Sequence, residues 1–153
     1  MNRKILFRGK KPVEYYNMID NSGGKWVEGY LIALHDGQSP AIQSEIKIVP
    51  DYVGARIDSK IFCVIPETVS QFTGLYDKNG VRIFENDIVI IGGNKSFPTM
   101  IEFLSGSWQC VRKYTDKGRE NEDSYLHRLE YDNPNQYEVI GNRFDNPELL
   151  KGK

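Results

Sequence analysis

The sequence predicts an all-β fold with minor helix, and three observations carry that expectation. Clusters of β-branched and aromatic residues recur along the 153-residue chain, bounded by Gly, Asn, Asp and Pro. Turn signals return every roughly 8–12 residues, the spacing of sandwiches and small barrels. Helical periodicity is hard to find.

Element by element, Ile5-Leu6-Phe7 reads as a first strand and Asn21-Ser22-Gly23-Gly24 as a turn, because Gly and Asn tolerate positive φ. Trp26 to Leu34 follows as a strand whose Gly29 marks a bulge or the close approach of another backbone. Asp36 to Pro40 is a loop. Glu45 to Val49 alternates like a half-buried strand, and Pro50 stops it. The continuous apolar run Ile61 to Ile65 suits a strand covered on both sides. Pro66-Glu67-Thr68-Val69 can open one helical turn, since Pro at the first position gives up no donor.

Thr73 to Tyr76 and Val81 to Phe84 flank Asp77-Lys78-Asn79-Gly80, a hairpin in which Asn-Gly calls for positive φ at both central residues. Ile88 to Ile91 is a strand ended by Gly92-Gly93-Asn94. Thr99 to Leu104 and Trp108 to Tyr114 form a further hairpin through Ser105-Gly106-Ser107. Residues 115–124 are polar and read as an exposed, mobile loop. Tyr137 to Gly141 is the last strand, and Asn146-Pro147-Glu148-Leu149-Leu150 a capped helical turn. The segment from Tyr76 to Asn142 holds enough strands to close a small SH3-like or Greek-key barrel. Its core candidates are Leu75, Ile83, Ile88, Ile90, Ile101, Phe103, Val111, Val139 and Ile140. The expected organisation is an N-terminal β-hairpin subdomain over residues 1–66, packed as one unit on a barrel-like subdomain over residues 67–153.

Composition narrows the function classes. No apolar run approaches the roughly 20 residues of a membrane-spanning helix. Met1-Asn2-Arg3-Lys4 with three apolar residues behind it does not read as a signal peptide. Cys63 and Cys110 are the only thiols, too few for a disulfide scaffold or a cysteine zinc site, so the expected setting is a reducing cytoplasm. Lys+Arg number 20 against 21 Asp+Glu, a net charge of −1, unlike a protein that grips nucleic acid over a broad surface. Charge is nonetheless uneven. Residues 1–12 carry five cations and no acid, and residues 112–119 carry four cations against Asp116. Solvated faces are the ordinary reading of such stretches. The sharper one has Lys10, Lys11, Arg112, Lys113, Lys117 and Arg119 contacting phosphate or another anion.

Catalytic constellations do not emerge. His35 and His127 belong to no metal-binding spacing, and a Cys–His pair is open only by arithmetic. Cys63 sits in an apolar run where a thiol is usually inert. Gly92-Gly93-Asn94-Lys95-Ser96 echoes a phosphate loop without its spacing or its following helix. Glu85 and Asp87 flank Asn86 in what reads as a corner rather than a metal site. No cofactor is implied. Aromatics are the positive hint: Tyr15, Tyr16, Trp26, Tyr30, Tyr52, Trp108, Tyr114, Tyr125, Tyr131 and Tyr137 cannot all be buried in a domain this small.

The run Ile65 to Val89, containing Pro66-Glu67-Thr68, Gln71, Thr73-Gly74, Asp77, Asn79-Gly80 and Asp87, resembles the central signature of the YopX-like proteins of bacteriophages and prophages. Leu6-Phe7-Arg8-Gly9-Lys10 and Trp26 to Ile32 are similar to that family's opening. Glu138 to Asn142 and Asp145 to Leu150 are similar to its close. Ser70 and Asn86 depart from it, standing where the family usually has Gly, and Tyr15 to Asn21 lengthen the first loop. The resemblance implies a small, mostly-β, phage-encoded protein of uncharacterised role, working in the cytoplasm of a bacterial host, and it supplies no catalytic residues. Its signature residues have no assigned role.

Three functions follow in order. The first is a non-catalytic protein-binding module of phage or lysogeny-related processes, with a protein of phage or host as partner. The second is a nucleic-acid accessory protein that uses the basic stretches and stacking tyrosines. The last is an enzyme. No membrane partner is expected, and pairing with a second copy through exposed strand edges is open.

Overall fold

A computed structural model describes residues 5–13, 23–33, 40–44, 47–51, 54–58, 60–112, 115–116, 119–120, 125–129 and 133–150. The chain divides into two compact units, Met1–Gln71 and Phe72–Lys153, where the sequence placed a division after residue 66. The fold is all-β: the helical segments among the described residues are three single 3-10 turns.

Unit 1 is built from β1 (Phe7–Lys10), β2 (Trp26–Ala33), β3 (Pro40–Gln43), β4 (Lys47–Asp51), β5 (Gly54–Asp58), β6 (Ile61–Cys63) and the first two residues of β7 (Ser70–Tyr76). Four of these strands line up as β6-β3-β2-β1, and Ser70 and Gln71 pair on the far side of β1, all antiparallel. β4 and β5 form a separate hairpin. Pro50 lies inside β4 rather than stopping it, which a two-stranded ribbon permits because one edge of each strand needs no donor. Pro40, expected in a loop, opens β3.

Gly29 bears out the close-approach reading: a Cβ there would overlap the Gln43 carbonyl oxygen. Pro66–Thr68 forms the expected single turn, of 3-10 type. The Thr68 hydroxyl ties it down, accepting the Lys10 N–H at 2.9 Å and donating to the Ile65 carbonyl at 2.7 Å. Ile61 to Ile65 is not a strand covered on both sides. Only Ile61–Cys63 is strand, it lies at the sheet edge, and Ile61 is 53% exposed.

Unit 2 contains the rest of β7 together with β8 (Arg82–Phe84), β9 (Asp87–Ile91), β10 (Thr99–Leu104), β11 (Ser107–Arg112), β12 (Thr115–Asp116), β13 (Arg119–Glu120), β14 (Tyr125–Arg128) and β15 (Tyr137–Asn142). Its main sheet runs β14-β11-β10-β9-β15, every pairing antiparallel. Within the stretch read as a loop, β12 and β13 pair over two residues each; the remainder lies outside the described residues.

Continuous apolar sequence explains the centre of this sheet. Ile88 and Ile90 point to one face of β9 and Val89 to the other, and all three are inaccessible to solvent. Leu75, Ile83, Val89, Ile101, Trp108, Cys110, Leu129 and Tyr137 form the core cluster, with Ile91 and Val139 packed against it. Phe103 departs from expectation. It stands at the turn end of β10, 52% exposed, with its ring edge-on to Trp108 at 4.9 Å.

The expected closed barrel is not formed. Among the described residues the outer strands β14 and β15 do not pair with each other, and the free side of β15 receives the β7–β8 turn instead. Lys78 donates its N–H to the Tyr137 carbonyl at 3.0 Å, and the Asp77 carboxylate accepts the Val139 N–H at 3.0 Å.

Candidate functional site

The signature residues from Thr73 to Asp87 shape the β7–β8 hairpin and the corner that follows it. Between Phe72↔Phe84 and Tyr76↔Arg82, β7 spans four residues and β8 only two, so β7 must bulge. Gly74 takes up the bulge with φ +92°, a conformation that β-carbon-bearing residues avoid. The Thr73 hydroxyl repairs the interrupted ladder, donating to the Ile83 carbonyl at 2.8 Å and accepting the Leu75 N–H at 3.2 Å.

The turn beyond it is also built by a side chain. Gly80 donates to the Asp77 carbonyl and Asp77 to the Val81 carbonyl. Only Gly80 has positive φ, +79°, whereas Asn79 stays negative. The turn is thus a three-residue loop ending in a glycine bulge, not the two-residue form with both residues at positive φ. One Asp77 carboxylate oxygen accepts the N–H groups of Asn79 (2.8 Å) and Val81 (2.9 Å), while the other reaches Val139, 62 positions along the chain. Asp77 is buried, and each of its carboxyl oxygens is hydrogen-bonded, as buried polar groups require.

The next corner follows the same rule. Asp87 is buried and accepts the Phe84 N–H at 2.8 Å, so its carboxylate closes the Glu85-Asn86 turn. Asn86 sits at φ +65°, a left-handed conformation that Asn tolerates better than most residues with a β-carbon. Its side chain accepts from the Arg143 guanidinium at 3.2 Å, and its carbonyl accepts the Arg143 N–H. Ser70, the other departure, is buried and donates its hydroxyl to the Thr68 carbonyl at 3.1 Å. Gln71 is half-buried on β7, and Pro66 and Glu67 are exposed on the 3-10 turn.

This network holds an outward-facing tip. Tyr76 is 46% and Val81 48% exposed, on either side of Lys78, Asn79 and Gly80, which are also exposed. Lys78 forms an ion pair with Glu138 on β15 at 2.6 Å. The resulting surface combines two exposed side chains with a turn held by six hydrogen bonds and one ion pair. Sequence reasoning missed Tyr76 and Val81 as surface groups. Their signal was position, since both adjoin a turn.

Of the anion-contact residues, Lys10 and Lys11 belong to unit 1 and the other four to unit 2. Lys10 is half-buried at the end of β1. Lys11 is 2% exposed with its ammonium 4.7 Å above the Phe62 ring, a location that keeps it from a surface phosphate. In unit 2 the Arg112 guanidinium stacks over Phe97 at 4.5 Å and donates to the Ser96 carbonyl. Arg119 falls on β13, and Lys113 and Lys117 lie outside the described residues. The Gly92–Ser96 segment is a turn stabilised internally by Ser96 N–H to Asn94 Oδ1 and Asn94 N–H to the Ile91 carbonyl.

One arithmetically possible catalytic pair is brought together. Cys110 and His127 lie directly opposite on β11 and β14. Burial pushes the Cys110 thiol up to about 12, a hydrogen bond with Thr99 opposing only part of that rise. A nucleophilic cysteine needs the opposite shift. His35 lies outside the described residues. Among the described residues no helix is long and apolar enough to cross a membrane.

These observations define a two-unit antiparallel β protein in which the Thr73 and Asp77 side chains shape the hairpin of the second unit. The family model described as YopX protein matches residues 14–151, and the chain belongs to the YopX family. The crystal structure of protein EF1440 from Enterococcus faecalis is similar at 24% identity, covering 98% of this chain and 100% of that one with a TM-score of 0.44. A comparison with curated proteins finds no match.

Proposed function

We propose that this chain is a non-catalytic protein-binding module that uses the β7–β8 hairpin tip to contact a protein of phage or host. The observation that supports this reading most is the exposure of Tyr76 and Val81 on a turn immobilised by Asp77. A partner that docks there buries apolar surface without having to order the loop, so less conformational entropy opposes binding. Family membership supports the phage and prophage context, inside a bacterial cytoplasm, that the resemblance implies.

The test is cross-linking and mass spectrometry from bacterial host lysate with the wild-type chain and the Tyr76→Ser/Val81→Ser variant. A specific partner recovered by the wild type and depleted at least about tenfold by the variant is the expected result, corresponding to about 1.4 kcal/mol of lost binding. No specific partner at protein concentrations well above micromolar, or equal recovery by both proteins, overturns it. The nucleic-acid reading makes a separate demand, binding that falls steeply with salt through Lys10 and Arg112.

A further inference from the structure

Asn79-Gly80 is the only asparagine–glycine pair in the chain, and it stands at the exposed tip of the β7–β8 turn. Glycine is the successor that least hinders attack of its own amide nitrogen on the preceding asparagine side chain, because it has no β-carbon. The surroundings leave room as well: a Cβ built at Gly80 would meet no atom within 4 Å. Elsewhere the same attack is obstructed. Asn133 and Asn146 precede proline, which has no N–H, and Asn86 and Asn94 precede residues whose side chains crowd the nitrogen. In the closed turn the Gly80 nitrogen is tethered. Its N–H donates to the Asp77 carbonyl at 3.0 Å, and the Asp77 carboxylate accepts the N–H groups on either side, from Asn79 at 2.8 Å and Val81 at 2.9 Å.

We propose that Asn79 is a site of spontaneous deamidation whose rate is set by opening of the turn that Asp77 holds. In the open turn the Gly80 nitrogen bonds to Asn79 Cγ and gives up its proton. The Cγ–Nδ2 bond breaks, and Nδ2 leaves as ammonia. Water from the solvent then adds to either carbonyl of the cyclic imide and breaks its bond to nitrogen, which leaves aspartate or isoaspartate at position 79. Nothing is oxidised or reduced. Both products add a negative charge next to Asp77 and Lys78. The isoaspartyl product also routes the backbone through one more carbon, which shifts Gly80 and Val81 relative to Asp77 and loosens the turn. The reaction draws on the turn alone, so it proceeds whether or not the tip docks a partner.

The experiment incubates the full chain at mildly alkaline pH and follows acidic species by ion exchange and position 79 by peptide mass spectrometry. Wild type, Asp77→Ala, Asp77→Asn and Asn79→Ser are compared, with wild type in concentrated urea as the untethered reference. Conversion at Asn79 is expected in the folded wild type, at least about fivefold slower than in urea and at least about fivefold slower than in Asp77→Ala, the factor that one hydrogen bond gives an opening equilibrium. Asp77→Asn falls between, and Asn79→Ser lacks the acidic species. Resistance of Cys110 to alkylation in the same samples marks a retained fold; where Asp77→Ala loses it, folded Asp77→Asn carries the comparison. Absence of conversion at Asn79 in the folded wild type, a folded rate equal to that in urea, or equal rates in wild type and both Asp77 variants overturns the proposal.

Discussion

Two outer strands, β15 in unit 2 and β6 in unit 1, are finished in different ways. The free side of β15 is closed by the β7–β8 turn through Asp77 and Lys78. Beside β6, the Ile65 N–H bonds the Lys10 carbonyl and the Lys11 ammonium lies over Phe62, while Ile61 is 53% exposed. The same chain thus closes one edge with a buried carboxylate and sets a cation over an aromatic ring at the other. The difference teaches that the family signature does structural work: Thr68, Thr73, Asp77 and Asp87 each bond to the backbone. The most exposed apolar side chains nearby, Tyr76 and Val81, stand at the hairpin tip that these bonds hold.

Substitutions sharpen this contrast, beginning with the largest effect. Gly29→Ala forces a Cβ into the Gln43 carbonyl, a backbone atom that cannot swing aside. It is expected to cost more than about 3 kcal/mol and to melt unit 1 well before unit 2, a separation that calorimetry resolves. Asp77→Ala removes the acceptor of three backbone N–H groups, those of Asn79, Val81 and Val139. The expected loss is about 2–4 kcal/mol in unit 2, read by chemical denaturation, with Asp77→Asn falling between the two. Equal stability of Asp77→Ala and wild type would mean that the turn does not seal β15.

Asn86 separates backbone from side chain. Asn86→Ala keeps the left-handed φ without a residue suited to it and loses the Arg143 contact, for an expected cost of about 1–2 kcal/mol. Asn86→Gly relieves the backbone and is expected to stay within about 1 kcal/mol of wild type.

Cys110 supplies a pH dependence. Its folded thiol titrates near 12 against 9.0 for the ordinary group, so the stability it confers is complete below pH 9 and is lost as pH rises toward 12. The stability advantage of wild type over Cys110→Ala therefore shrinks across that window, and native Cys110 resists alkylation at pH 8. Rapid alkylation of the folded chain at Cys110 would contradict the burial. The smallest effect belongs to Tyr76→Ser/Val81→Ser, within about 0.5 kcal/mol per site in stability.

Legibility in the sequence followed the range of the forces involved. β9 was readable because four consecutive apolar residues, Ile88 to Ile91, suit burial on two faces. Gly29 was readable because glycine inside a strand has few explanations. The position of β6 was not, since Ile61 to Ile65 looks the same at the centre of a sheet as at its edge. β3 escaped because it has four residues and begins with proline. Phe103 was assigned to the core by polarity alone, whereas its place beside the Ser105-Gly106 turn exposes it. The hairpin itself was legible from Asn79-Gly80, but its turn type was not, because Asp77 decides it through its side chain. The candidate site was hidden most deeply: the bond from Val139 to Asp77 crosses 62 positions, and no local pattern announces it.

Amide hydrogen exchange at Val139, followed by NMR in wild type and Asp77→Asn, addresses the sealed edge most directly. Strong protection in wild type that drops selectively at Val139, Asn79 and Val81 in the variant is what the structure requires. Fast exchange at Val139 in wild type, or protection there that survives loss of the carboxylate, would contradict it.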